Sequence, residues 1–83
     1  MRPVFSAGNG EIELYELDVP TAWDGRSLAE LTAGITCTVV SVTHGGRAAL
    51  PEANTRLHED DLLHVGASLE GASALRGRLY GEA

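Results

Sequence analysis

The residues able to do chemistry gather in the second half of the chain. His58, Glu59, Asp60 and Asp61 run together, with His64 close behind. Oxygen and imidazole groups of this kind hold divalent cations when they converge. Adjacent acids do not all converge, because side chains alternate along an extended chain. The run also lacks EF-hand spacing and matches no zinc motif, so no metal is assigned. It reads as a solvated acidic turn, with a divalent-cation sensor as the competing use. His44 and Arg47 flank Gly45-Gly46 and by type alone are the polar ends of a hairpin. Arg26 stands just ahead of a helix signal. There it can pair with Asp24 or Glu30, or reach an anion near the helix amides. Cys37 has no activating base in any nucleophile motif and reads as a buried strand residue. With no paired carboxylates, triad or supported phosphate loop, the chain is not expected to be an enzyme.

Size sets the next limit. The 83 residues make one domain with a modest core. A single cysteine rules out an internal disulfide, so a structural metal or a partner subunit is the usual support, and an oligomer is expected. Twelve acids against six bases, all arginine, give a formal charge of −6. That balance argues against DNA or RNA as a partner, since both require a basic face. It leaves room for a small anionic ligand held by one or two local arginines. No stretch is long and apolar enough to span a bilayer, and the N-terminus has no apolar signal core. A lone cysteine fits a reducing compartment. The expected location is the cytoplasm.

The elements that must position these residues are legible from patterning. Residues 1–10 end in Ala7-Gly8-Asn9-Gly10 and read as a flexible tail or linker remnant, leaving 11–83 as the domain. Residues 11–19 alternate as a strand, with Tyr15, Leu17 and Val19 on one face. Trp23 sits in the loop that follows and reads as a lid over a core edge. Ser27-Leu28-Ala29-Glu30 is a capping box: the serine takes the Glu30 amide and the glutamate returns the bond. Gly34 ends this short helix. Cys37–His44 is a strand, with Val40, Val42 and His44 on one face and Cys37, Val39, Ser41 and Thr43 on the other. Gly-Gly suits a two-residue hairpin, which needs positive φ. Residues 47–50 return, and Pro51 ends the ladder. Residues 62–67 form the last strand, with Leu63, Val65 and Ala67 on one face. Residues 68–80 form a helix with Leu69, Ala72, Leu75 and Leu79 in one stripe, expected to fray from Gly77 onward.

This order now meets specific residues. Asp24-Gly25-Arg26-Ser27-Leu28-Ala29-Glu30-Leu31 resembles the "G-K/R-S/T-L-x-E-L" opening of the first helix of the TrkA C-terminal domain. That domain is also called RCK-C, for regulator of conductance of potassium. Thr38-Val39-Val40-Ser41-Val42 resembles its central strand, and Pro51 its proline after the hairpin. Leu57-x-x-Asp60-Asp61-x-Leu63-x-Val65-x-Ala67 resembles its "L-x-x-G-D-x-L-x-V-x-G" close. Asp60 stands where the family has glycine, and aspartate tolerates the left-handed geometry such a turn requires. Gly66 and Ala67 shift the usual strand-ending glycine by one position.

The resemblance implies an α+β fold: a four-stranded mixed sheet in β-α-β-β-β-α order, covered by two helices. It implies a cytoplasmic regulatory domain of a potassium channel, potassium uptake system or cation/proton antiporter, held at the inner membrane face through that partner. It implies a homodimer, and cyclic di-AMP as a small nucleotide ligand bound between two subunits. No cofactor is implied. The ligand-lining positions of cyclic-dinucleotide-binding relatives match His44, Arg47 and Pro51, with Leu50 among the aliphatics that would pack on adenine; Arg26 is the further candidate. A two-fold dimer presents each residue twice to a two-fold ligand, so His44 and Arg47 would meet both phosphates. Gly8-Asn9-Gly10 has neither the third glycine nor the preceding strand of a dinucleotide-binding fingerprint. The chain is therefore expected to be a stand-alone sensor subunit or an excised domain. A dimerisation module with no small ligand is the competing reading.

Overall fold

The computed structural model describes residues 2–7, as backbone only, and residues 11–81. The strands are β1 (Arg2–Ala7), β2 (Ile12–Asp18), β3 (Cys37–His44), β4 (Arg47–Ala49) and β5 (Leu62–Ala67). The helices are α1 (Leu28–Thr32) and α2 (Leu69–Tyr80), and a single 3-10 turn covers Thr21–Trp23. The class is α+β, as expected. The sheet has five strands in the order β1-β2-β5-β3-β4.

Two features of the sheet depart from expectation. It is not mixed: all of its pairings are antiparallel. The β2-α1-β3 connection does run its two strands parallel, as a strand-helix-strand unit must. But β5 inserts between them and pairs antiparallel with each, splitting the unit. The fifth strand is the other departure. Arg2–Ala7, read as a tail, pairs with β2 in an offset register and forms one edge.

The core lies between one sheet face and the helices. Tyr15, Leu17 and Val19 meet Leu63, Val65 and Ala67, and Leu31, Ala72, Leu75 and Leu79 close over them. The alternation expected for β3 fails at its middle. A bulge between Val39 and Ser41 inserts one extra residue. Val39 and Val42 therefore both face the core, while Val40 is left 46% exposed and Ser41 turns to the far face.

The helices are held at their ends. The Ser27 hydroxyl accepts from the Glu30 amide at 3.2 Å, as a capping serine should. In return the Ser27 backbone amide acts on the Glu30 carboxylate, as the capping box requires. That carboxylate also takes the Ser27 hydroxyl at 3.3 Å and the Arg26 guanidinium at 3.1 Å. That arginine holds the Glu30 carboxyl below its ordinary pKa. In α2 the expected stripe is shifted: Leu69 is 71% exposed, and Gly71 takes its place in the core. Nor does α2 end at Gly77. Arg78 donates to the Leu31 and Ala33 carbonyls at 2.9 and 2.6 Å, and the Tyr80 hydroxyl donates to the Asp18 carbonyl at 2.7 Å. Trp23 is buried and donates to the Arg78 carbonyl at 3.1 Å. It closes an edge of the core, as its loop position implied.

Candidate functional site

The β3–β4 hairpin presents His44 and Arg47. Gly45 and Gly46 have φ of +56° and +79°, the signs a two-residue hairpin turn of the primed kind requires. The turn sets His44 directly opposite Arg47. Both side chains are exposed, and they share the end of one ladder.

His44 is not a loose hairpin end. Its Nδ1 lies 2.5 Å from Asp61 Oδ1. The Asp61 carboxylate is 2% exposed, while the imidazole is 65% exposed. The second carboxylate oxygen accepts the His58 backbone amide at 2.9 Å. The His58 ring lies against the His44 ring, with centroids 4.8 Å apart and planes tilted by 45°. On its other side, His58 Nδ1 stands 4.0 Å from Asp24 Oδ1.

The 58–61 turn that carries these groups is tied down by backbone bonds. Asp60 donates to the Val19 carbonyl and Val19 donates to the Asp61 carbonyl, both at 2.9 Å. Asp60 has φ of +69°, the left-handed geometry expected where the family places glycine. The Glu59 amide donates to Asp24 Oδ1 at 2.8 Å. Its carboxylate accepts the Thr21 hydroxyl at 2.5 Å. The acidic run thus points its side chains to different partners. Among the described residues, no three histidine, cysteine or carboxylate groups converge as a metal site. His64, considered with this run, lies on the sheet face away from the helices. There it bridges Glu16 (Nε2 to Oε2, 3.1 Å) and Ser41 (Nδ1 to Oγ, 3.4 Å).

The other candidates fall at two further places. Pro51 lines a cleft of about 320 Å³ with Leu28, Ala29, Cys37, Val39 and Ala53. It lies four residues beyond Arg47, up to about 13 Å away along an extended chain. Neither His44 nor Arg47 lines the cleft, so it is not part of the hairpin end. Leu50, 85% exposed, sits between the two. Burial pushes the Cys37 thiol pKa up, which leaves it a poor nucleophile near neutrality. Arg26 is engaged elsewhere: its guanidinium carbon lies 3.8 Å from the Trp23 ring centroid and its Nε 3.1 Å from Glu30. A helix as short as α1, five residues, offers no extended N-terminal dipole to an anion.

Sequence reasoning singled out His44, Arg47 and Pro51 as candidates but missed the partnership of His44 with Asp61 and His58. The acidic run and the hairpin were both visible. What joins them is the insertion of β5 beside β3, which sets the turn before β5 next to the end of β3.

Comparison with known proteins agrees with this architecture. The profile of the TrkA-C domain matches residues 12–79. The Trk system potassium uptake protein TrkA of Streptomyces coelicolor is 33% identical over 63 residues, which cover 76% of this chain and 28% of that protein. The chain thus spans less than a third of the relative's length. An RCK domain solved with cda superposes with a TM-score of 0.69 at 22% identity, covering 80% of this chain and 96% of that one. The RCK_C domain dimer of S. agalactiae BusR in complex with c-di-AMP gives 0.70 at 18% identity, covering 81% and 95%. The GsuK channel gives 0.72 at 18% identity, covering 86% of this chain and 14% of the channel chain. At these identities the solved structures speak for the fold, and the profile and the TrkA relative speak for descent: the chain belongs to the TrkA-C domain family.

Proposed function

We propose that this domain is a ligand-responsive regulator of a potassium or other cation transport system. In this reading it works in the cytoplasm as a homodimer and has no catalytic activity. It binds a small anionic nucleotide, with cyclic di-AMP the first candidate. Family membership supports the regulatory role. The observation that carries the ligand is the His44–Arg47 pair, set side by side on a rigid two-residue turn. A histidine and an arginine so placed can make charge-assisted bonds to one phosphate. The apolar cleft beside Pro51, with Leu50 at its rim, offers a surface for an adenine. Phosphate and base would then occupy separate parts of one extended ligand, completed by a second copy. Two structural relatives are complexes described with cda and with c-di-AMP. Arg26, bound to Trp23 and Glu30, is assigned a structural part.

The ligand would act by favouring one arrangement of the two copies, and only as far as its affinities for the two arrangements differ. Nucleic acid is left out of the reading because the chain carries a net −6. One longer structural relative, S. agalactiae BusR, is known in complex with its busAB-promotor DNA, and this chain covers 36% of it.

The test is thermal shift with cyclic di-AMP, AMP, ATP, NAD and divalent cations, followed by calorimetry of His44→Ala. Binding to the folded state raises the melting temperature with ligand concentration. Cyclic di-AMP is expected to do so, and His44→Ala to weaken it while the protein stays folded and self-associated. No shift with any of these compounds would leave a dimerisation module. A shift with calcium alone, lost in Asp60→Asn and Asp61→Asn, would favour a cation sensor.

A further inference from the structure

We propose that Asp61 is the positioning residue of this ligand site: its buried carboxylate holds His44 through Nδ1 and leaves Nε2 as the atom offered to a nucleotide phosphate. The proposal rests on the ligand reading above and adds to it the group that decides how His44 is presented.

The argument begins with the burial. A carboxylate that is 2% exposed must have its oxygens satisfied inside the protein. Both are: Oδ1 faces His44 Nδ1 at 2.5 Å, and Oδ2 accepts the His58 amide at 2.9 Å. The backbone amide can only donate, so Oδ2 is fixed as its acceptor. Oδ1 of an ionised carboxylate, equally, can only accept. His44 Nδ1 must therefore carry a proton whether the ring is neutral or charged. In the charged ring Nε2–H is the remaining donor, and in the neutral ring Nε2 is the remaining acceptor. The ring cannot swing freely, since Asp61 holds one nitrogen and His58 lies against its face. A buried carboxylate orienting an exposed imidazole is the arrangement by which histidines are aimed at a ligand.

Among the described residues, charged and titratable groups meet His44 from the 58–61 turn, where Asp61 and His58 face it, and from β4, where Arg47 stands opposite. Asp24 acts at one remove, through His58. The Asp61 charge is spent on His44 and a backbone amide, so it is not displayed to an incoming anion. The turn is also bonded to Val19 and Asp24. The orientation of His44 is therefore set by the core edge and not by the hairpin alone.

Asp61→Asn tests this with almost no change of shape. The His58 amide would keep the remaining carboxamide oxygen, which turns the NH₂ toward His44 Nδ1. That nitrogen must then accept, and the proton moves to Nε2. Imidazole ¹⁵N chemical shifts, read above neutral pH without ligand, report the tautomer directly. The full chain is expected to show Nδ1–H for His44, and Asp61→Asn to show Nε2–H. Cyclic di-AMP affinity by calorimetry should fall about tenfold or more, by analogy with the loss of metal affinity when the outer partner of a metal-ligating histidine is removed. Nε2–H in the unaltered chain would overturn the proposal, and that reading needs no variant to fold. A changed tautomer with unchanged affinity would overturn it equally. Nδ1–H in a chain that binds no cyclic di-AMP would sink the ligand reading while upholding the grip of Asp61 on His44.

Discussion

Asp60 and Asp61 are neighbours with opposite employments, and each follows from its backbone. Asp61 turns inward, and its oxygens are consumed by His44 and the His58 amide. Asp60 sits at φ +69°, the sole described non-glycine residue with positive φ. Left-handed backbone costs an ordinary L-residue about 1–2 kcal/mol, and aspartate somewhat less. Asp60→Gly should therefore stabilise the domain by up to about 1 kcal/mol, and Asp60→Val should destabilise it by more than that. Urea denaturation of the two variants would measure both effects. If Asp60→Gly lowers stability, the aspartate side chain contributes something the backbone argument misses. The motif resemblance located this position, because it placed glycine where Asp60 stands. It could not locate the His44–Asp61 bond, whose partners lie in separate motifs and meet only through the fold.

Among the elements, α2 is the one whose residues most contradict their own propensities. Gly71 weakens a helix by about 1 kcal/mol relative to alanine. Its compensation is contact: a Cβ at Gly71 would stand 2.5 Å from the Thr36 carbonyl oxygen, a backbone atom that cannot rotate aside. Gly71→Ala is therefore expected to lower the melting temperature despite its better helix propensity. A rise would show that the 34–36 loop yields easily. At its far end α2 is pinned by Arg78 on the α1 carbonyls, by Trp23 on the Arg78 carbonyl and by Tyr80 on Asp18. These side chains replace the fraying that Gly77 suggests. The contrast shows what periodicity can and cannot carry. The hairpin, the capped helix and the alternation in β2 and β5 were legible because each is a local pattern. The bulge in β3, the inward Gly71 and the exposed Leu69 were not, because each is set by a neighbour distant in sequence. The same holds for the sheet: local signals place β5 last in the chain, and only packing places it at the centre of a five-stranded order.

For the molecule as a whole, the charge of −6 works against the proposed pairing. The principal extents are 35 × 29 × 20 Å. At about 0.01 M salt the Debye length is about 30 Å, so two copies feel each other's full net charge across most of a molecular width. At about 0.1 M it is about 10 Å, and distant charges drop out. Contacts that bury apolar surface are not weakened by such a change, whereas the repulsion is. Self-association should therefore tighten as salt rises over this range, as sedimentation at matched protein concentrations would show. The opposite trend would mean that arginines of one copy meet acids of the other across the interface, where salt weakens attraction. A folded monomer at every salt and every attainable concentration would remove the dimer. The two-subunit site would fall with it, and His44 and Arg47 would remain a one-sided surface with too few groups to enclose a ligand.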